Sequence, residues 1–171
     1  MRNIEIKARL GDLPAARDVA QAIATKYLGV QEQTDTYFLC PRGRLKLREI
    51  AGAEAQLIYY QRPDQDAPKA SDYQLVPIAD PAALKAALQA ALGVRGVVRK
   101  RREIFLYHNV RIHLDEVQGR GTFLEFEAVL GPGLDDRAGQ AQLQELLGRF
   151  GILPGDLFSG SYGDAVSSTG E

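Results

Sequence analysis

With 171 residues and a mass of 18.7 kDa the chain is long enough for one well-buried core, and nothing in it calls for a second domain. Hydrophobic residues at 45% and charged residues at 25% exclude a disordered chain; a formal charge of −1 says little about partners, but Lys and Arg gathered on particular strand faces point to a small, enclosed anion rather than a long nucleic acid on an exposed basic patch. The single cysteine, Cys40, excludes a disulfide framework and a multi-cysteine zinc site; no apolar run is long enough to cross a bilayer and the start lacks a secretory signal's apolar core, so a cytoplasmic protein is expected.

In chain order, a strand is expected from about Arg2 to Arg9, with Asn3, Glu5 and Lys7 on one face and Ile4 and Ile6 on the other. Asp12-Leu13-Pro14 supplies a capping carboxylate and a first-turn proline, so a helix follows to about Lys26. A strand around Thr34 to Leu39, the turn Pro41-Arg42-Gly43 and a strand Arg44 to Ile50 read as a hairpin. Leu57 to Arg62 is a further strand, Pro63 to Lys69 a polar loop able to close over a ligand, and Ser71 to Pro77 another strand. Asp80-Pro81 starts a second helix, Ala82 to Leu92, which Gly93 stops. Val97 to Tyr107, Val110 to Val117 and Thr122 to Leu130 form an antiparallel meander, joined by His108-Asn109 and by Gln118 to Gly121. Asp136 to Phe150 is a third helix with Leu143, Leu146, Leu147 and Phe150 at helical spacing. Residues 1–166 are expected to form one domain and 167–171 a flexible tail.

The strands share a design. Arg44, Lys46 and Arg48 alternate with leucines; Lys100 and Arg102 follow Val98; Arg111, His113 and Asp115 alternate with Ile112 and Leu114; Glu125 and Glu127 alternate with Leu124 and Phe126. An open antiparallel sheet with one solvated face would alternate in the same way. The recurrence of like charges in pairs, with acids on the first and last long strands and basic pairs between them, favours closure into an α+β barrel with helices outside and a charged interior suited to a small, enclosed polyanion. Arg99 and Arg101 fall on the opposite face from Lys100 and Arg102 and should be solvated. His113 reads either as a neutral structural histidine bonded to a neighbour or as a group for proton transfer or phosphate binding. Lys69, Ser71 and Tyr73 share one face and offer a weaker ligand signal.

Taken in order, Asn3-Ile4-Glu5-Ile6-Lys7, Thr34-Asp35-Thr36-Tyr37-Phe38, Leu45-Lys46-Leu47-Arg48, Tyr60-Gln61-Arg62-Pro63, Val98 to Arg102, His113 to Val117, Gly119 to Glu127 and Ser161-Tyr162 resemble the triphosphate tunnel metalloenzymes. This group, the CYTH superfamily, includes class IV adenylyl cyclases and thiamine triphosphatases. The resemblance implies an antiparallel eight-stranded tunnel and a small-molecule triphosphate such as ATP or tripolyphosphate. It further implies Mg²⁺ or Mn²⁺ held by Glu5, Asp115, Glu125 and Glu127, and phosphates held by Lys7, Lys46, Arg48, Arg62, Lys100, Arg102 and Arg111. Glu5, Lys7 and Glu127 would carry catalysis. Asn3 departs from the Glu-x-Glu-x-Lys signature at its first glutamate; an amide oxygen can ligate a hard cation without adding charge, which weakens a second metal position.

Phosphoryl chemistry needs positioning and charge neutralisation more than a covalent nucleophile. Arginine grips phosphate oxygens in pairs and lysine acts as a mobile point charge. Oxygen-rich ligands favour Mg²⁺ or Mn²⁺ over structural zinc. Cyclisation of ATP to cyclic AMP and pyrophosphate, in the manner of class IV adenylyl cyclases, is the first expectation. Hydrolysis of tripolyphosphate, thiamine triphosphate or a nucleotide is the second, and a non-catalytic polyphosphate-binding module or a purely structural barrel follow; the protein is expected to be a monomer or homodimer.

Overall fold

The computed structural model describes residues 1–63, 65 and 67–163; the tail expected over 167–171 lies outside them, as do Asp64 and Asp66 of the expected loop. Eight strands, β1 (Arg2–Leu10), β2 (Lys26–Phe38), β3 (Arg44–Ile50), β4 (Ala55–Gln61), β5 (Lys69–Ile78), β6 (Val94–Tyr107), β7 (Val110–Val117) and β8 (Gly121–Val129), alternate with helices α1 (Leu13–Ile23), α2 (Pro81–Leu92) and α3 (Asp136–Arg149). A short 3-10 turn spans Pro154–Asp156. The strands close in the order β1-β5-β4-β3-β2-β6-β7-β8, every pair antiparallel. Closure decides between the open sheet and the barrel.

Each helix starts as the sequence reads. Asp12, Asp80 and Asp135 accept hydrogen bonds from the backbone N–H of Ala15 (2.9 Å), Ala83 (3.0 Å) and Ala138 (2.8 Å), satisfying a donor that the first turn would otherwise leave free. The first helix stops at Ile23, short of the expected Lys26, because Ala24 is already extended and leads into the β-favouring pair Thr25 and Tyr27. The second strand accordingly begins at Lys26 rather than Thr34. Its first half hides from a period-two reading because Gly29, at φ 96°, sits where the register with β6 slips, and a slip moves side chains to the other face.

The hydrocarbon core lies outside the barrel. Ile4, Ile6, Phe105, Ile112, Leu114, Leu124 and Phe126 pack against Ala16 and Ala20 of α1 and Leu143, Leu146 and Leu147 of α3. The approach of α3 to β1 is close enough that a Cβ on Gly139 would stand 2.8 Å from Ile4 Cγ1, so this helical glycine sets the packing distance. On the other side α2 buries no residue fully; Leu84 and Leu88 rest on Phe38, Leu47 and Ala55. Among the described residues no helix is long and apolar enough to cross a membrane.

Candidate active site

With hydrocarbon placed outside, period-two alternation turns the polar face of every strand inward. The result is one interior cavity of about 380 Å³, within the usual range for small-molecule sites. Its wall carries Glu5 and Lys7 from β1, Lys46 and Arg48 from β3, Arg62 just past β4, Lys100 and Arg102 from β6, Arg111 and His113 from β7, and Glu125 and Glu127 from β8. Among the described residues, seven cations on this wall thus face three carboxylates.

Strand register arranges these groups in tiers. Glu127 stands opposite Glu5 on β1 and Arg111 on β7; one step along, Glu125 stands opposite Lys7 and His113. Glu125 Oε2 takes Lys7 Nζ at 3.1 Å and Arg102 Nη2 at 3.2 Å, and Glu127 Oε2 lies 3.5 Å from Arg111 Nη1. Arg62 donates to Glu5. Arg111 is the exposed member, with 41% of its side chain accessible.

The cation-rich half is organised by a residue to which the sequence reading gave no role. Asp35 of β2 accepts from Lys46 Nζ (3.0 Å), Arg48 Nε and Nη2 (both 2.7 Å) and Lys100 Nζ (3.3 Å). Burial alone would push this carboxyl up, but Arg48, Lys100 and Lys46 together hold it well below the ordinary range. The available signal was its place on the same face as Gln33 and Tyr37, opposite Arg48. Burial, then the neighbouring Arg48, brings Lys46 down to about 8; burial and Arg102 take Lys100 well below its ordinary value.

Asp115, expected among the metal-holding acids, is fully buried and does not line the cavity. Arg102 Nε and Nη2 donate to it at 2.7 and 2.6 Å and Tyr162 Oη at 2.9 Å, so its oxygens are engaged in holding Arg102. The group beside Glu125 and Glu127 is instead His113: one ligand atom from each of the three lies within 4.8 Å of the others. Among the described residues the histidine is not bonded to a neighbour through Nδ1, which is buried without a hydrogen-bond partner there. Burial and Arg102 bring its pKa down to about 4, so the ring is neutral at pH 7. Burial, followed by Glu125 and Glu5, pushes Glu127 up to about 7.

The two ends of the barrel interior differ. One is filled by Tyr37, Val98, Val117, Phe123 and Tyr162, with Phe158 packed against them. The Tyr162 ring lies under Lys7 Nζ at 3.9 Å to its centroid, and Phe158 N–H donates to the Lys7 carbonyl at 2.8 Å, so the segment after the 3-10 turn is stitched to the floor of the site. Towards the other end the lining turns to Leu28, Ile50, Leu75 and Ile104 with Gln31, Gln56 and Tyr73, and Leu28 is 47% exposed.

The remaining sequence-marked residues separate cleanly. Ser71 and Tyr73 line the cavity, whereas Lys69 is buried with its Nζ donating to the carbonyls of Gln65 (3.0 Å) and Ser159 (2.8 Å). Asn3 lines the cavity with Oδ1 buried and without a hydrogen-bond partner among the described residues. Arg99 is exposed, and Arg101 pairs outside the barrel with Glu116 at 2.9 Å.

Known proteins share this architecture. The PH1012 protein of Pyrococcus horikoshii is 25% identical with a TM-score of 0.84, over 95% of this chain and 98% of that one. A proposed adenylate cyclase from Vibrio parahaemolyticus is 20% identical with a TM-score of 0.80, over 97% and 98%. HpAC1 from Hippeastrum, a proposed adenylyl cyclase with a dominant triphosphatase activity, is 20% identical with a TM-score of 0.68, over 96% and 94%. The latter two likenesses speak to the fold. Among curated proteins no sequence matches. The CYTH domain family model matches residues 1–162, which include all eight strands of the barrel, and the chain belongs to the CYTH domain family.

Proposed function

We propose that this protein is a divalent-metal-dependent enzyme that binds a triphosphate in the barrel and cleaves its phosphoanhydride chain, and that its reaction is the cyclisation of ATP to cyclic AMP and pyrophosphate. The observation that carries the reading is that, among the described residues, seven cations converge on one cavity against five carboxylates: Glu5, Glu125 and Glu127 on its wall, and the buried Asp35 and Asp115 that hold Lys46, Arg48, Lys100 and Arg102. Such an excess of buried positive charge is unfavourable unless an anion completes it.

The acidic corner fits a divalent cation. His113, Glu125 and Glu127 offer ligand atoms within 4.8 Å of one another, and Glu125 and Glu127 would hold Mg²⁺ or Mn²⁺, with Glu5 in the adjoining position on β1. A bound metal would neutralise phosphate charge and favour ionisation of the attacking hydroxyl. The chain's own residues do the rest. Lys46, Arg48 and Lys100, preassembled on Asp35, bind the phosphate chain; Arg102, clamped by Asp115, and Lys7 extend that grip toward Glu125. Arg62, held by Glu5, and Arg111 complete the wall. The apolar lining at Leu28, Ile50, Leu75 and Ile104 gives a nucleoside room to sit while its phosphates enter the charged half. In cyclisation the 3′-oxygen forms a bond to the α-phosphorus, the bond to the bridging oxygen breaks, pyrophosphate leaves and the hydroxyl proton passes to solvent.

Hydrolysis of a terminal phosphoanhydride is the second reading. It is favoured by the Asp35 cage itself, which needs only a phosphate chain and no nucleoside. Product analysis separates the two. The protein is offered ATP, thiamine triphosphate and tripolyphosphate separately with Mg²⁺ or Mn²⁺, beside a Glu127→Gln control. Cyclic AMP with pyrophosphate supports the first reading, orthophosphate the second, and binding without turnover under either metal rejects both.

A further inference from the structure

We propose that His113 is a nitrogen ligand to one divalent cation shared with Glu125 and Glu127, and that this donor set makes the site prefer a first-row transition dication such as Mn²⁺ to Mg²⁺. The inference rests on the metal-dependent reading above and adds to it a ligand and a metal preference.

Orientation is the main argument. Glu125 turns Oε2 to Lys7 and Arg102, and Glu127 turns Oε2 to Arg111. The Oε1 atom of each carboxylate lies 3.9 Å from the same atom, His113 Nδ1. Three cations therefore hold the outer oxygens and leave the inner ones aimed at an imidazole nitrogen. These neighbours fix the donor set much as outer-shell partners orient the ligands of other metal centres.

The spacing suits a cation better than a hydrogen bond. At 3.9 Å neither carboxylate is within bonding reach of Nδ1, which is buried and has no hydrogen-bond partner among the described residues. A cation ~2.1 Å from each donor places two donors about 3.0 Å apart at a right angle and about 4.2 Å apart when they lie opposite. The observed separation falls between those limits.

Donor chemistry sets the preference. Mg²⁺ favours oxygen ligands and keeps its water, whereas imidazole nitrogen suits transition dications. Replacing one oxygen ligand with His113 thus favours Mn²⁺ at the expense of Mg²⁺. Had Asp115 stood here, the site would have been all oxygen; Asp115 holds Arg102 instead.

Pulsed electron paramagnetic resonance of Mn²⁺ bound to the protein, with and without tripolyphosphate, tests the ligand directly, using ¹⁵N-histidine labelling to mark the nitrogen. The chain has two histidines, and the other, His108, is exposed on the turn between β6 and β7. The expected result is a histidine nitrogen coupling in the wild type that disappears in His113→Gln. The ratio of Mn²⁺ to Mg²⁺ affinity, measured by calorimetry, should fall at least about tenfold in that variant. Bound Mn²⁺ without a histidine coupling overturns the inference and leaves the carboxylate site standing. Failure of wild type to bind Mn²⁺ under either condition overturns both. The wild-type spectrum decides the ligand even if the variant fails to fold.

Discussion

On β1, Ile4 and Ile6 pack outward beneath α1 and α3, while Asn3, Glu5 and Lys7 point into the barrel. The outer face follows the ordinary logic of a core: hydrocarbon leaves water and each methylene contributes to stability. The inner face does the reverse. It takes Lys7, Lys46, Lys100, Arg102 and Glu125 almost wholly out of water, where even well-paired charges seldom repay their desolvation. Stability and binding are thus separated by one residue of strand, and substitutions on neighbouring positions should report different properties.

The largest effect is expected on the outer face. Phe126 is fully buried and meets Phe150 edge-on at 5.1 Å, so Phe126→Ala should destabilise by about 3–5 kcal/mol in denaturant titrations. Tripolyphosphate should raise the stability of wild type and variant by the same increment. Asp35→Asn, on the inner face, removes the carboxylate shared by three buried cations and should also lose about 3–5 kcal/mol. Here the ligand should restore much of the loss, because it supplies negative charge to the same cations. Equal responses to ligand in the two variants would break the division between the faces.

Glu127→Gln tests whether the inner face gives up stability for function. Between about pH 4.5 and 7 the folded state holds the Glu127 proton more tightly than the unfolded chain does, so this group's contribution to stability falls as pH rises through that window. Glutamine carries no proton to lose. In metal-free buffer the variant should match wild type near pH 4 and exceed it by roughly 2–3 kcal/mol at pH 8, while losing Mn²⁺ binding. A variant less stable than wild type at pH 8 would show that Glu127 supports the barrel.

How much of this was legible in the sequence varies by residue. β3 and β7 run from Arg44 to Ile50 and from Val110 to Val117 much as alternation indicates, since apolar and polar side chains take turns from Arg44 to Arg48 and from Val110 to Asp115. The first half of β2 was hidden by the Gly29 bulge, which breaks the period on which such a reading depends. The inward position of Lys46, Arg48, Lys100, Arg102, Glu125 and Glu127 could be anticipated because a face is a one-dimensional property of a strand. The partners could not. Asp35 gathers cations from β3 and β6, and Asp115 rather than His113 turns to Arg102, because the offset between strands decides which inward groups meet.

Lys46 sharpens the comparison through pH. With its pKa near 8 it loses charge as pH rises through that value, whereas a bound polyanion favours the charged form, so binding should take up protons there. Tripolyphosphate affinity should fall up to about tenfold from pH 8 to 9, and Lys46→Arg, which stays charged, should flatten the dependence.

The smallest effect is expected at Arg99, one residue from Lys100 and on the opposite face. Arg99 is exposed, and its charge acts on the tunnel only through solvent, so Arg99→Ala should change stability by less than about 0.5 kcal/mol and leave tripolyphosphate affinity at moderate salt within about twofold. Lys100→Ala, which takes one charge off the Asp35 cage, should weaken the same affinity at least about tenfold by calorimetry. The two variants make the same change in net charge. If they weakened binding equally, the protein would be drawing its ligand by overall charge; a difference confined to Lys100 means that the closed barrel recognises the anion by the charges that strand alternation delivers to its interior.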